Sequence, residues 1–161
     1  METITTHLKK IFLFIFFSAV YTITYAQTKE SIIKNSVETQ EYIFHAQTAL
    51  PVSGSSRLLT SEYDLKVTKN SVVSFLPFFG RAYSLPYGTT EGGFNFTSTK
   101  FDYSATGGKK GGWEISIKPK DVPDFREFSL SISENGYGTL HATSNNRQPI
   151  SFTGYITPIK Q

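Results

Sequence analysis

The residues able to do chemistry are few. Beyond residue 26 the only histidines are His45 and His141, and the chain has no cysteine. A thiol nucleophile, a disulfide and a thiolate metal site are therefore excluded. Serines are plentiful, but no Gly-x-Ser-x-Gly elbow presents one of them at a strand-to-helix turn. The two histidines are distant and the carboxylates dispersed, without zinc-ligand spacing and without the spaced acids of a calcium loop. No metal, cofactor or catalytic residue is expected on these grounds. Asp121 and Asp124 flank Val122-Pro123, and Glu134 stands at a turn. Nothing in their spacing sets two carboxyls across one scissile bond, so they read as solvated loop acids. The run Gly107-Gly108-Lys109-Lys110-Gly111-Gly112 has the glycines of a phosphate cradle. No Ser or Thr follows its Gly-Lys pair and a strand pattern begins at Trp113, so it reads as a basic hairpin loop.

One stretch concentrates binding chemistry. Ser74 to Gly88 holds Pro77 and Pro86, the aromatics Phe75, Phe78, Phe79, Tyr83 and Tyr87, and one cation, Arg81. Proline removes a ladder donor, so the segment cannot be a regular strand. Its loop portion, Pro77 to Gly92, is long for a hairpin connection, and such loops are functional or packed down by their own side chains. Aromatic rings beside a guanidinium suit an amphiphile, the rings taking its apolar part and Arg81 its carboxylate or phosphate. In the plainer alternative the rings cap the core and Arg81 pairs with a structural acceptor. Arg147, near the last turn, is a second cation for either arrangement.

These residues need elements to position them. Lys9-Lys10, the apolar run Ile11 to Val20 and Thr24-Tyr25-Ala26 read as a secretory signal peptide, residues 1–26, cleaved after Ala26. The apolar run is too short to span a bilayer, and without a cysteine at the cut no lipid anchor is expected. Losing Glu2, Lys9 and Lys10 takes the 16 basic and 13 acidic side chains to 14 and 12, a formal charge of +2. So small and scattered an excess argues against nucleic acid as a partner. Residues 27–161 then form a single exported domain, periplasmic or extracellular, soluble and without a transmembrane segment.

Residues 29–49 read as a helix, with Ile33, Val37 and Phe44 on one face and Pro51 as its stop. Val52 to Arg57 reads as a connector. From residue 62 the period changes to two. Alternating sets follow at Tyr63–Val67, Ser71–Leu76, Phe94–Phe96, Phe101–Tyr103, Trp113–Ile117, Phe128–Ile132, Leu140–Ala142 and Ile150–Ile156. Lys69-Asn70, Asn135-Gly136 and Asn145-Asn146 punctuate them, and a bulge or turn near Ser98 to Lys100 reconciles two phases. The prediction is a mainly β (α+β) fold: an N-terminal helix and an antiparallel meander of about eight strands, closed into a small barrel or a strongly curved sheet.

The run Leu76-Pro-Phe-Phe-Gly-Arg-Ala-Tyr83, then Pro86-Tyr-Gly88 and Gly92-Gly93, forms a specific signature with Gly112-Trp113, Asn135-Gly136 and Asn146-Arg-Gln148 before Ile150-Ser-Phe152. Together they resemble domain of unknown function 4251, a family of small exported bacterial proteins, over most of the chain past the helix. The resemblance implies an exported β-rich domain and carries no activity or functional residue with it. The reading that follows is a non-enzymatic periplasmic binding or interaction domain. Its partner is a small amphiphilic or anionic ligand, or an envelope protein, at Phe75, Phe78, Phe79, Arg81, Tyr83, Tyr87 and Arg147. The alternative is a hydrolytic enzyme acting on envelope or glycan substrates, which convergent polar groups around His45 or His141 would favour.

Overall fold

The structure is a computed structural model and describes residues 29–83, 92–108 and 111–159. The expected signal peptide and its cleavage site lie outside them. Helix α1, 29–39, buries Ile33, Ser36 and Val37 and leaves Lys34 and Glu38 paired on its wet side. It ends ten residues short of the predicted last helical residue, Ala49. Gln40 takes φ 56°, Gln40 N–H donates to the Val37 carbonyl and Glu41 N–H to that of Ser36. That pair of bonds around a left-handed residue is a Schellman termination, usually marked by glycine. With glutamine in the position, the stop is silent in the sequence.

Residues read as the second half of the helix are instead strand β1, Tyr42–Pro51. Tyr42, Phe44 and Ala46 face inward, and a register shift between Ala46 and Thr48 lets Ala49 bury on the other parity. Phe44 is buried as expected, but from a strand. A two-residue strand β2, Arg57–Leu58, pairs with β1 where a connector was expected. The eight sets read by alternation are β3 (Asp64–Val67), β4 (Val72–Leu76), β5 (Phe94–Ser98), β6 (Phe101–Gly107), β7 (Trp113–Pro119), β8 (Phe125–Ile132), β9 (Tyr137–Ser144) and β10 (Ile150–Pro158).

All pairings are antiparallel, in the order β5-β4-β3-β1-β10-β9-β8-β7-β6 with β2 beside β1. The chain therefore enters the sheet at its middle, meanders to one edge, crosses to the other and meanders back. The edges β5 and β6 are consecutive in sequence, joined by Thr99-Lys100. That corner almost closes the sheet into a barrel. Asp121 holds it, accepting hydrogen bonds from Ser98 Oγ and from the Thr99 and Lys100 N–H groups. The Ser98 hydroxyl foremost, then the Thr99 amide, lower its carboxyl from 3.8 to about 2.

The inner face carries one core, with Phe44, Leu65, Leu76, Ile117, Phe128, Leu130, Leu140 and Phe152 fully buried. Phe96 on the β5 edge reaches across to Phe125 and Phe128 at 5.0 and 6.0 Å between ring centres, so aromatic contact spans the seam. Helix α1 covers the end of the barrel at the β8–β9 turn. There Ile33 packs on Gly136, which has φ +84° at the Asn135-Gly136 tip, and Tyr103 Oη donates to the Val37 carbonyl.

Candidate ligand-binding cleft

The aromatic segment leaves β4 at the opposite end of β8. Alternation along β4 buries Val72, Ser74 and Leu76 and turns Phe75 outward, where it is 52% exposed and stacks on Tyr63 at 5.5 Å. Pro77 ends the ladder. Phe78 and Phe79 fold back half-buried, Phe78 edge-on to Phe94 at 5.6 Å and Phe79 beneath the Arg57 guanidinium at 4.7 Å. A side chain at Gly80 would meet the tip of the Phe78 ring at 2.9 Å, so a larger residue there would displace that ring.

Backbone bonds then tie the segment to the β9–β10 connection. Arg81 N–H donates to Gln148 Oε1 and Gln148 N–H to the Arg81 carbonyl; Ala82 bridges Arg147, and Tyr83 N–H donates to the Asn146 carbonyl. The protein itself pins this stretch. Arg81 is exposed, and among the described residues its guanidinium has no partner. Among the described residues its side chain meets neither an aromatic ring nor a structural acceptor. Tyr83 is 69% exposed. Tyr87 lies outside the described residues.

Arg147 occupies the place expected for Arg81. Its guanidinium lies 5.3 Å from the Phe78 ring centre and 5.4 Å from that of Phe94, and Nη1 donates to the Gly93 carbonyl at 2.8 Å. No carboxylate among the described residues forms an ion pair with it. It opens on a cleft of about 160 Å³ walled by Phe94, Phe96, Phe125 and Val122, with Asp124 and Ser144 at the rim. Both rim groups are engaged: Asp124 Oδ1 accepts from Asn146 Nδ2 at 2.7 Å, and Ser144 Oγ donates to the Asp124 carbonyl at 2.8 Å. Across the Gly93–Asn95 ridge lies a shallower groove of about 290 Å³ lined by Tyr63, Phe75, Phe78 and Phe79. A held guanidinium whose other N–H groups have no partner among the described residues, beside apolar rings, can take an anionic head and a short apolar chain.

The other candidates part company. Gly107 ends β6, and Gly108, Gly111 and Gly112 lie between it and β7, with Gly111 and Gly112 at positive φ; Lys109 and Lys110 lie outside the described residues. Asp121 and Asp124 hold different turns, and Glu134 packs on Gly111. No metal-binding cluster occurs among the described residues. His141 Nδ1 meets Ser151 Oγ at 2.9 Å. His45 sits between Asp64 and Thr157, with Nδ1 2.7 Å from Asp64 Oδ1 and Nε2 2.9 Å from Thr157 Oγ1. Reading His45 onto a helix hid that arrangement, because only strand register sets it opposite Asp64.

Comparison with known proteins follows the same lines. The family model described as domain of unknown function (DUF4251) matches residues 24–156. The fold is similar to the crystal structure of a DUF4251 family protein from Bacteroides eggerthii DSM 20697. The match has a TM-score of 0.60 and 15% identity and covers 81% of this chain and 88% of that one. No curated protein matches the chain.

Proposed function

The chain belongs to the DUF4251 family of domains of unknown function, and from that premise we propose that it is an exported binding domain for a small amphiphile with an anionic head. The observation that carries this reading is Arg147, half-buried, fixed between two rings and one carbonyl, with no carboxylate among the described residues. Holding a cation against apolar surface is costly unless an acceptor meets it. The Gly93 carbonyl meets one N–H, the ligand's carboxylate or phosphate supplies the charged acceptor for the others, and its chain lies on Phe94, Phe96 and Phe125. A cleft of about 160 Å³ admits only a small ligand. Phe75, Phe78 and Phe79 offer a second surface across the ridge, and the exposed Arg81 and Tyr83 stand ready as outer contacts. The cleft binds rather than turns over: its rim hydroxyl already donates to a backbone carbonyl. Export rests on residues 1–26.

Titration of a short-chain fatty acid and of its alkyl phosphate counterpart, followed by NMR, tests the reading. Shifts should centre on Phe96, Phe125 and Arg147. Arg147→Lys, which keeps the charge and loses the planar fork, should weaken binding about tenfold or more, and Arg81→Gln much less. The absence of shifts with both ligands, or binding indifferent to Arg147→Lys, refutes it.

A further inference from the structure

The outer face of β1 carries an arrangement unrelated to the cleft. His45 stands directly opposite Asp64 on β3 and Tyr155 on β10, and Thr157 lies two residues further along β10. Side chains so placed on one sheet face are within reach. The carboxylate, imidazole and hydroxyl follow in order, Asp64 Oδ1 2.7 Å from Nδ1 and Thr157 Oγ1 2.9 Å from Nε2. The Asp64 contact is close but lacks the alignment of a hydrogen bond, and Oδ1 is otherwise buried without a donor. His141 makes the plain version of the contact, one hydroxyl and no carboxylate.

The hydroxyl also lines a space. Thr157 borders a groove of about 270 Å³ with Tyr137, Tyr155, Asn135 and Lys29. Lys29 Nζ sits 5.5 Å from the Tyr137 ring centre. Asn135 Oδ1 accepts from Ser133 Oγ and Tyr137 N–H, which leaves its NH₂ to donate. Aromatic walls, a hydroxyl beside an imidazole and two donors are the parts an acyl-transfer site needs.

We propose that Thr157, with His45 as general base and Asp64 as the positioning residue, forms a nucleophilic site that hydrolyses small carboxylic esters. Thr157 Oγ1 attacks the ester carbonyl carbon as its proton passes to His45 Nε2. The carbonyl oxygen becomes an oxyanion facing Lys29 and Asn135. Collapse breaks the bond to the leaving alkoxy group, which takes the proton from Nε2 and departs as the alcohol, leaving acyl-Thr157. Water then loses a proton to His45 and adds to the acyl carbon. The Thr157 oxygen leaves, is reprotonated from Nε2, and the acid is released. Ester and water give acid and alcohol, with no other reactant.

Incubation of the protein with 4-nitrophenyl acetate, with nitrophenol release followed and intact mass and peptide mapping alongside, tests this. One acetyl group should map to Thr157. Thr157→Val should abolish that adduct and Thr157→Ser keep it. His45→Gln should slow acylation about 10²–10⁴-fold. Asp64→Asn should slow it too, with Asp64→Glu restoring part of the rate, while His141→Gln leaves it unchanged. The substitutions lie on the outer face, and melting curves check that each variant is folded. Acetyl found only on lysines, or a rate that survives Thr157→Ser but also Thr157→Val or His45→Gln, overturns the proposal.

Discussion

The two ends of β8 are finished in different ways. At the β8–β9 turn, α1 seats Ile33 and Val37 on the barrel, and the aromatic hydroxyl of Tyr103 is spent on a helix carbonyl. At the β9–β10 turn the cover is a loop rather than a helix. Phe78 and Phe79 are only half-buried, a guanidinium lies among the rings, and a cleft remains. A helix satisfies its own backbone and can present an unbroken apolar stripe. A loop must find partners for its backbone, here on residues 146–148, and leaves polar groups and gaps beside the apolar ones. The sealed end therefore carries stability, and the loop end carries the cleft proposed above as a binding site.

Substitutions should separate the ends. Phe44→Ala, emptying a fully buried site at the start of β1, should cost about 3–5 kcal/mol in denaturant unfolding. Gly136→Val should cost about 2–4 kcal/mol, because φ +84° resists a β-branched residue and the new Cβ would meet Ile33 Cδ1 at 2.9 Å. At the loop end, Arg147→Ala should cost about 1–3 kcal/mol through its carbonyl bond and two ring contacts, and Arg81→Ala less than about 0.5. Equal losses for the two arginines would erase the distinction drawn between them.

The smallest effect concerns the corner between the edges. The Asp121 carboxyl is lowered from 3.8 to about 2 in the fold. A depressed carboxyl stabilises the folded state above its unfolded value and loses that contribution as the folded value is approached. Stability should thus fall between pH about 4 and about 2, and Asp121→Asn should flatten that part of the profile in thermal melts. An unchanged acid limb in the variant would assign the loss to other carboxylates.

Much of the fold was legible. Period-two alternation marked β3 to β10, the Asn135-Gly136 pair marked its hairpin, and the phase change near Ser98 marked the corner. β1 was not legible. Its Phe44 falls at helical spacing from Ile33 and Val37, the helix stop uses glutamine where glycine is the usual signal, and the shift at Ala46–Thr48 breaks the strand's own alternation. The cleft was half legible: Arg147 was named as a second cation, whereas the rings that wall the cleft, Phe94, Phe96 and Phe125, were not singled out, and the proline-rich segment's Phe75, Phe78 and Phe79 line the neighbouring groove.

By itself, the sequence determined what depends on neighbours along the chain: periodicity, turn chemistry, the proline-broken segment, and the missing thiols. Such features act within a few residues, and their patterns survive whatever the chain packs against. Tertiary structure alone decided where β1 enters the sheet, which arginine reaches the rings, and that His45 stands between Asp64 and Thr157, the last 112 residues away. Those outcomes depend on register and pairing between distant strands, where a shift of one residue sends every side chain to the opposite face.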